Sequence, residues 1–356
     1  MKRSEIEKFI ASGETKIVDA MRKIDTNTYQ ILFVVDDNGR LLGSVSDGDI
    51  RRSLIKTGEL NQNISELMNT DTQYYYEGDV WEDSYWKKHE GISVVPVVDS
   101  QKKIVNLKMK IKKNIVSEEQ KICLDGVPVV IMAGGKGTRL YPYTKILPKP
   151  LIPIGDTPIL ERILNRYVTY GIQQFYVTVN YKKNFIKTYF EDIDCTYQIK
   201  YVEENQPLGT GGSLRLISDP LTKPLMVTNC DILIDADYAD IYRYHIKSMS
   251  DITIVSAMKQ IQLPYGVLNA GENGIVYSME EKPCLSYFIN TGMYVVNPEC
   301  LKYIPENQTY HMTDLVDDMM KQGKKVSMYP IGEDSFLDMG ELEEMKRMEE
   351  KLEVIN

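Results

Sequence analysis

The stretch that most constrains this chain is residues 132–153, MAGGKGTRLYPYTKILPKPLIP, which directly follows an apolar run. Glycines remove Cβ atoms where a backbone must lie close to a ligand, and successive N–H groups in such a turn form a concavity that binds anions. Three cations share the loop: Lys136, Arg139 and Lys149. Four prolines keep the segment from becoming helix. A glycine-rich turn with cations at the end of a strand suits a triphosphate, although GGKG alone would also fit a loop with solvated cations.

Composition excludes several classes of partner. The chain has 356 residues and a formal net charge of −9, which argues against nucleic acid or an anionic membrane surface as a partner. The five cysteines lack CxxC spacing, so neither a zinc site nor a disulfide framework is expected. No apolar run is long enough to span a bilayer, and the first residues lack an apolar signal-peptide core. We therefore expect a cytoplasmic protein with two domains.

After residue 125 the hydrophobic pattern alternates between strand and helix. Strands are predicted at residues 128–132, 175–180, 199–203, 225–229 and 252–258. Helices are predicted at residues 159–168, capped by Asp156 or Thr157, at 237–248, and after the glycines of LGTGGSLRLI. This alternation predicts a doubly wound, mixed and mostly parallel α/β sheet of the Rossmann-like kind in residues 125–356, with ligands beyond the carboxyl ends of the strands.

Residues 1–117 contain an internal repeat, because residues 33–50 align with residues 96–113. Each copy has an apolar strand, an Asp, a polar turn and a second apolar strand, which predicts two β-hairpins with flanking helices. The repeat resembles a pair of CBS motifs, small α/β units that often bind nucleotides. Residues 117–126 are the predicted linker to the second domain.

The resemblance to CBS motifs implies a regulatory nucleotide site in the first copy. Ser46 and Asp49 would hold a ribose, and Arg51 or Arg52 could meet phosphate. The second copy has Met109 and Lys112 at the matching positions. At most one complete site is therefore expected. The alternative is a module that only packs or dimerises, and a homo-oligomer is expected in either case.

Residues 134–160, GGKGTRLYPYTKILPKPLIPIGDTPIL, resemble the signature of the sugar-1-phosphate nucleotidyltransferases. The resemblance implies attack of a sugar 1-phosphate on the α-phosphorus of a nucleoside triphosphate, with release of pyrophosphate. Arg139 would contact the β- and γ-phosphates and Lys149 the α-phosphate region. The implied nucleotide-binding residues are Ala133, Gly134, Gly135, Lys136, Gly137, Thr138, Gly209 and Thr210.

The same resemblance implies a metal site and a sugar-phosphate site. Asp231 ends an apolar strand in NCD, Asp338 precedes a glycine in LDMG, and the two would hold Mg²⁺. Helix capping is the alternative for Asp231, which is also an implied catalytic residue together with Arg139 and Lys149. The implied sugar-phosphate residues are Gly266, Glu281, Lys282, Asn290 and Thr291. A charged hairpin turn would explain residues 280–283 equally well.

The segment PLGTGGSL at residues 207–214 resembles the nucleobase loop of relatives that use GTP, where Glu203 or Glu204 could accept from guanine. The two-part layout is similar to glucosamine-1-phosphate guanylyltransferases of legionaminic acid biosynthesis. A mannose- or heptose-1-phosphate guanylyltransferase, or another NTP:sugar-1-phosphate nucleotidyltransferase, is the alternative within the family. A non-catalytic nucleotide-sensing scaffold is the alternative outside catalysis.

Overall fold

The computed structural model describes residues 2–27, 29–81, 85–89, 92–110, 124–340, 344–346 and 348–350. Most of the predicted linker at residues 117–126 lies outside them. The chain divides into two compact units. The first comprises Met1–Val116, Ala257–Ile289 and Pro330–Asp334, and the second comprises Ser117–Ser256, Asn290–Tyr329 and Ser335–Asn356. The first unit thus includes two segments that follow residue 125 in the chain.

The amino-terminal part of the first unit contains two β-hairpins that repeat one another. Its strands are β1 (Ile10–Ser12), β2 (Ile31–Val35), β3 (Leu41–Ser46), β4 (Tyr75–Tyr76), β5 (Val94–Val98) and β6 (Ile104–Met109). Its helices are α1 (Arg3–Ile6), α2 (Ile17–Asp25), α3 (Asp47–Thr57) and α4 (Tyr85–Lys88). In each hairpin the register shifts at one place, after Val34 in β2 and after Val97 in β5.

The turns of the two hairpins also match. Asp36 accepts hydrogen bonds from the backbone N–H groups of Asn38 and Arg40. Asp99 accepts the same pair of bonds from Gln101 and Lys103. These are Asx turns, in which an aspartate carboxylate fixes the reversal of the chain. The internal repeat read from the sequence is therefore present in the structure.

The remaining elements follow residue 125. The strands are β7 (Val129–Met132), β8 (Pro153–Ile154), β9 (Thr157–Pro158), β10 (Gln174–Val179), β11 (Gln198–Glu203), β12 (Leu225–Asn229), β13 (Ile232–Ile234), β14 (Ile252–Gln262), β15 (Val267–Ala270), β16 (Val276–Glu280), β17 (Cys284–Val296), β18 (Val326–Ile331) and β19 (Phe336–Asp338). The helices are α5 (Tyr143–Ile146), α6 (Ile159–Val168), α7 (Lys183–Asp192), α8 (Gly209–Gly212), α9 (Tyr238–Ser248) and α10 (Met312–Lys321).

The main sheet has seven strands in the order β11-β10-β7-β12-β17-β14-β18. Strands β11, β10, β7 and β12 are parallel, and β17 is antiparallel to β12. From β7 the chain runs outward through β10 to β11 and then returns to place β12 on the other side of β7. The fold is thus the predicted doubly wound, mostly parallel sheet, and its switch point lies at the carboxyl ends of β7 and β12, where such folds bind ligands.

Three local predictions need correction. Neither Asp156 nor Thr157 caps α6, because Pro158 occupies the N-cap position and no side chain bonds the first turn. Strand β14 continues four residues beyond the predicted end at Met258. The glycines of LGTGG open only the four-residue α8 and a 3-10 turn. Within the described ranges, no helix has both the length and the apolar character needed to cross a membrane.

Candidate active site

The glycine loop follows β7 at the switch point of the second unit. Gly137 has a left-handed backbone (φ 63°), and a Cβ there would lie 3.0 Å from side-chain atoms of both Thr144 and Lys149. A Cβ on Gly134 would lie 2.8 Å from Oε1 of Glu204. A Cβ on Gly135 would meet nothing within 4 Å. The left-handed backbone and tight contacts at Gly137 favour glycine, Gly134 lies against the Glu204 carboxylate, and Gly135 faces open space.

Thr144 holds the glycine loop and was not singled out from the sequence. It is fully buried, and its hydroxyl donates to the carbonyl of Gly137 over 2.9 Å. A single threonine in a proline-rich loop gives no signal of such a role. Its position shows that the loop and the following residues form one packed structure.

Lys149 and Asp231 form an ion pair at the carboxyl edge of the sheet. Lys149 is 7% exposed and lies in a 3-10 turn fixed by Pro148 and Pro150. Its ammonium lies 2.5 Å from Oδ2 of Asp231, which follows β12. Because β12 neighbours β7 in the sheet, this pair lies beside the glycine loop.

Asp338 is brought to the same place by a small antiparallel sheet. Strand β13 pairs with β19 so that Ile232 lies opposite Asp338, and the N–H of Met339 donates to the carbonyl of Asp231 over 2.8 Å. Burial and the charge of Asp231 raise the pKa of Asp338, while Lys149 and Arg139 oppose that rise. Asp338 therefore lies within electrostatic reach of Arg139, Lys149 and Asp231.

Asp231 and Asp338 suit a divalent cation. Two neighbouring carboxylates repel each other, which is one reason that the pKa of Asp338 is raised, and a bound cation would relieve that repulsion. Among the described residues no cluster of three or more His, Cys, Asp or Glu side chains could hold a metal. This donor set fits Mg²⁺, which usually takes one or two carboxylates and completes its shell with water and phosphate oxygens.

The GTGG turn at the start of α8 packs against the segment before α10. Gly209 has φ +76°, and a Cβ there would lie 2.7 Å from the carbonyl oxygen of Tyr310. The N–H groups of Gly211 and Gly212 both donate to that carbonyl over 2.9 Å. The hydroxyl of Thr210 accepts from the N–H of Met312 over 3.1 Å. Contacts within the protein thus account for the small residues of this turn.

The two glutamates at the end of β11, Glu203 in the strand and Glu204 just after it, have different environments. Glu203 pairs with Lys183 and Lys187, whose ammonium groups lower the pKa of its carboxyl. Glu204 is 7% exposed, and burial raises the pKa of its carboxyl. Its Oε2 accepts from the N–H of Leu208 over 3.2 Å. Glu204 thus lies near both the glycine loop and the GTGG turn, whereas Glu203 is paired with two lysines of α7.

The sugar-phosphate residues read from the sequence fall in both units. In the first unit, a Cβ on Gly266 would lie 2.9 Å from Oε2 of Glu281, so these two residues are neighbours. Lys282 has a left-handed backbone (φ 50°) in the turn between β16 and β17. In the second unit, Thr291 is buried and donates to the carbonyl of Val255, and the Asn290 amide donates to the hydroxyl of Tyr294 over 2.6 Å.

Ser46 and Asp49 together cap α3. The hydroxyl of Ser46 donates to Oδ2 of Asp49 over 2.6 Å and accepts from its N–H over 3.2 Å. Arg52 pairs with Asp49, and Arg51 pairs with Asp47 and donates to the carbonyl of Pro330. The serine and aspartate therefore form a capping box, and of the two arginines only Arg52 is largely exposed.

Comparison with known proteins assigns the family. Residues 128–354 match the family model described as nucleotidyl transferase, and residues 5–56 match that of the CBS domain. A D-glycero-alpha-D-manno-heptose 1-phosphate guanylyltransferase from Campylobacter jejuni is 31% identical over 214 residues, which cover 59% of this chain and 93% of that protein. A UTP–glucose-1-phosphate uridylyltransferase from Synechocystis is 31% identical over 234 residues, 60% of each chain.

A solved structure shares the fold. The crystal structure of HddC from Yersinia pseudotuberculosis superposes with a TM-score of 0.51 at 26% identity, covering 64% of this chain and 99% of that one. The share of this chain that superposes is about the size of residues 125–356. The family model spans the glycine loop, Asp231 and Asp338. The chain therefore belongs to the nucleotidyl transferase family and carries a CBS domain near its amino terminus.

Proposed function

We propose that the protein transfers a nucleoside monophosphate from a nucleoside triphosphate to a sugar 1-phosphate and releases pyrophosphate. The observation that supports the proposal is the Lys149–Asp231 pair beside the glycine loop, with Asp338 within electrostatic reach of both and of Arg139. Two anionic reactants repel each other unless their charge is neutralised, and these residues combine cations with a carboxylate pair suited to a metal. The guanylyl- and uridylyltransferase relatives support the same general reaction.

In the proposed reaction an oxygen of the sugar phosphate attacks the α-phosphorus in line. A new P–O bond forms, the bond between the α-phosphorus and the bridging oxygen breaks, and pyrophosphate leaves with that electron pair. The attacking oxygen is already anionic, so no strong general base is needed. Catalysis then depends on positioning and on stabilising charge in the transition state.

Each charged residue has a proposed part. Arg139 neutralises the β- and γ-phosphates and the leaving pyrophosphate, and Lys149 contacts the α-phosphate region. Asp231 and Asp338 would hold Mg²⁺, which when bound neutralises phosphate oxygens. The open side of the loop at Gly135 admits the phosphates, with Ala133, Lys136 and Thr138 beside them.

We propose acceptor-binding roles for Gly266, Glu281 and Lys282 in the first unit and, separately, for Asn290 in the second unit. Glu281 would accept from sugar hydroxyls, and Lys282 would contact the phosphate. Thr291 would act through its backbone, because its hydroxyl already donates to the carbonyl of Val255.

We propose GTP and glucosamine 1-phosphate as the substrates and GDP-glucosamine as the product, which would serve legionaminic acid or surface-glycan synthesis. We also propose that the enzyme is a homo-oligomer and acts in the cytoplasm. Glu204 is the proposed guanine reader, since a carboxylate at the GTGG turn can accept from the N–H donors of guanine. A mannose or heptose 1-phosphate is the alternative acceptor, and the Campylobacter relative supports the heptose.

The test is a matrix of GTP, CTP, UTP and ATP against glucosamine, mannose, heptose and glucose 1-phosphates, with pyrophosphate release as the readout. Turnover greatest with GTP and glucosamine 1-phosphate supports the proposal. Turnover greatest with another pair reassigns the substrates. No pyrophosphate with any pair in the presence of Mg²⁺ rejects the enzyme and favours a nucleotide-sensing scaffold.

A regulatory nucleotide is proposed at Ser46 and Asp49 in the CBS domain, with Arg52 available to phosphate. Calorimetric titration of the full chain with AMP, ATP, GMP and GTP tests it. The expected result is a binding event that Arg52→Ala weakens while turnover without effector is unchanged. Identical isotherms for the wild type and this variant would remove the site.

A further inference from the structure

Lys182 is a half-buried lysine that no reading of the sequence singled out. It follows β10 and precedes α7, and its ammonium points at consecutive backbone carbonyls of the α5 turn. The distances are 2.5 Å to the carbonyl oxygen of Lys145, 2.7 Å to that of Ile146 and 3.5 Å to that of Thr144. All three donors of the ammonium are therefore directed at a single turn.

These carbonyls are the last ones of a helical turn and have no partner along the helix. A cation at the carboxyl end of a helix bonds such carbonyls and interacts favourably with the helix dipole. Lysine suits the position because its three donors can be spread over three acceptors. The side chain also lies over the rings of Tyr181 and Phe185, which fixes its direction.

The backbone at Lys182 has an uncommon conformation. Its φ of 52° and ψ of 34° lie in the left-handed region, which non-glycine residues seldom adopt. The adjacent residue Tyr181 contacts the same loop, because its N–H donates to the carbonyl of Gly134 over 3.4 Å. The end of β10 is therefore shaped to meet the glycine loop and the α5 turn together.

The α5 turn lies in the chain between Arg139 and Lys149. Its own tie to the glycine loop is the hydrogen bond from Thr144 to Gly137. Two side chains that follow the sheet strand β10 reach this turn: the Lys182 ammonium bonds its three carbonyls, and the Tyr181 hydroxyl donates to the carbonyl of Thr144 over 3.4 Å. The neighbouring lysines have a different role, since Lys183 and Lys187 pair with Glu203.

We propose that Lys182 is a positioning residue for nucleotidyl transfer: its ammonium holds the α5 turn so that Arg139 and Lys149 face the triphosphate. The catalytic consequence rests on the proposed function, whereas the mechanical role does not. Lys182 acts through the loop and not on the phosphates, because its donors are occupied by the three carbonyls.

The experiment compares Lys182→Met with Lys183→Met, which removes a neighbouring ammonium outside the loop, and with Lys182→Arg. Hydrogen exchange of the full chain should show amides of residues 141–147 exchanging about tenfold faster in Lys182→Met only. In pyrophosphate release, kcat of Lys182→Met should fall roughly tenfold to a hundredfold, as misplacement by about 1 Å can cost about 10²-fold. KM for the sugar 1-phosphate should stay unchanged, and Lys182→Arg should recover part of kcat.

Three results would overturn the proposal. The first is wild-type exchange at residues 141–147 in Lys182→Met. The second is faster exchange throughout the second unit with a lower Tm, which would mean general stabilisation. The third is faster exchange in the loop with unchanged kcat. If the wild-type protein releases no pyrophosphate with any substrate pair, the proposed function fails, and the exchange data alone then decide whether Lys182 holds the loop.

Discussion

The ammonium of Lys149 lies 2.5 Å from Oδ2 of Asp231, and both side chains are largely shielded from water, with 9% and 17% of their surface exposed. Removing one partner of such a pair leaves a buried charge uncompensated, which destabilises more than the net contribution of the pair. Asp338 is near enough for the charge of Asp231 to raise its pKa. Without Lys149, Arg139 would be the remaining cation that offsets the repulsion between the carboxylates of Asp231 and Asp338.

The first prediction follows from this pair. Lys149→Met should lower the free energy of unfolding by about 3 kcal/mol, because it leaves Asp231 charged and poorly hydrated. The double variant Lys149→Met/Asp231→Asn should lose less stability than the two single variants lose together. The difference, which is the coupling energy of the pair, should be about 0.5–3 kcal/mol. Urea unfolding of the four proteins measures the cycle. Strictly additive losses would show that the two groups do not interact.

The second prediction concerns the GTGG turn. Gly209 and Gly323 have almost the same backbone, with φ of +76° and +71°, but only at Gly209 would a Cβ meet another atom, the carbonyl oxygen of Tyr310 at 2.7 Å. Gly323→Ala should therefore lower the free energy of unfolding only by the strain of an alanine in a left-handed conformation, about 1–2 kcal/mol. Gly209→Ala should lose clearly more, because a backbone carbonyl cannot move aside. Equal Tm values for the two variants would contradict the packing of this turn.

The third prediction concerns pH. His245 is 1% exposed, with its ring nitrogens against Thr253 and Asn297, and burial lowers its pKa although Asn297 and the charge of Asp251 oppose the shift. The folded state therefore binds fewer protons than the unfolded state just below pH 6.5, the ordinary value. Stability is present above that pH and is lost as the pH falls through it.

The comparison for this third prediction is His245→Gln, which cannot titrate in this range. It should be less stable than the wild type at pH 8 but should lose less stability between pH 7.5 and 5. The difference between the two Tm profiles isolates the histidine from acids such as Glu204. Parallel profiles would show that His245 is not the titrating group.

The fourth prediction concerns the first unit. Met258 of β14 is 2% exposed and packs with Ile17, Leu32 and Ile50 of the amino-terminal part. Met258→Ala should cost about 2–5 kcal/mol, whereas Met279→Ala, at a side chain of the same unit that is 68% exposed, should change stability by less than about 0.5 kcal/mol. Both tryptophans of the chain lie in the first unit, so fluorescence during urea unfolding reports on it. An unchanged midpoint for Met258→Ala would contradict the shared core.

Local patterns were enough to predict much of the second unit. The strand at residues 225–229 was predicted with its observed bounds, and those of β10 and β11 within one residue, because each is a short run of strand-forming residues between turn residues. The helix predicted at residues 237–248 is α9, with Asp237 as its N-cap. The end of β14 was missed because the polar residues Lys259, Gln260 and Gln262 interrupt the apolar pattern.

The spatial arrangement of the site residues could not be predicted without the fold. Sequence reasoning selected Lys149, Asp231 and Asp338 by resemblance, but it could not show that the strand pairing of β13 with β19 brings the two carboxylates together. It also left Glu203 and Glu204 equivalent, and only burial beneath Gly134 separates them. Lys182 carries no local signal at all, since its partners are backbone carbonyls of a distant turn.

The most direct test of the central claim is pyrophosphate release by the wild type, Arg139→Ala and Asp231→Asn under saturating substrates, with Asp235→Asn as the matched control. Asp235 is a half-exposed aspartate that pairs with Arg166. Losing one preorganised charge should lower kcat by about 10²–10³ in the first two variants while circular dichroism stays native, and the control should keep the wild-type rate. Near wild-type turnover by both Arg139→Ala and Asp231→Asn would contradict the account.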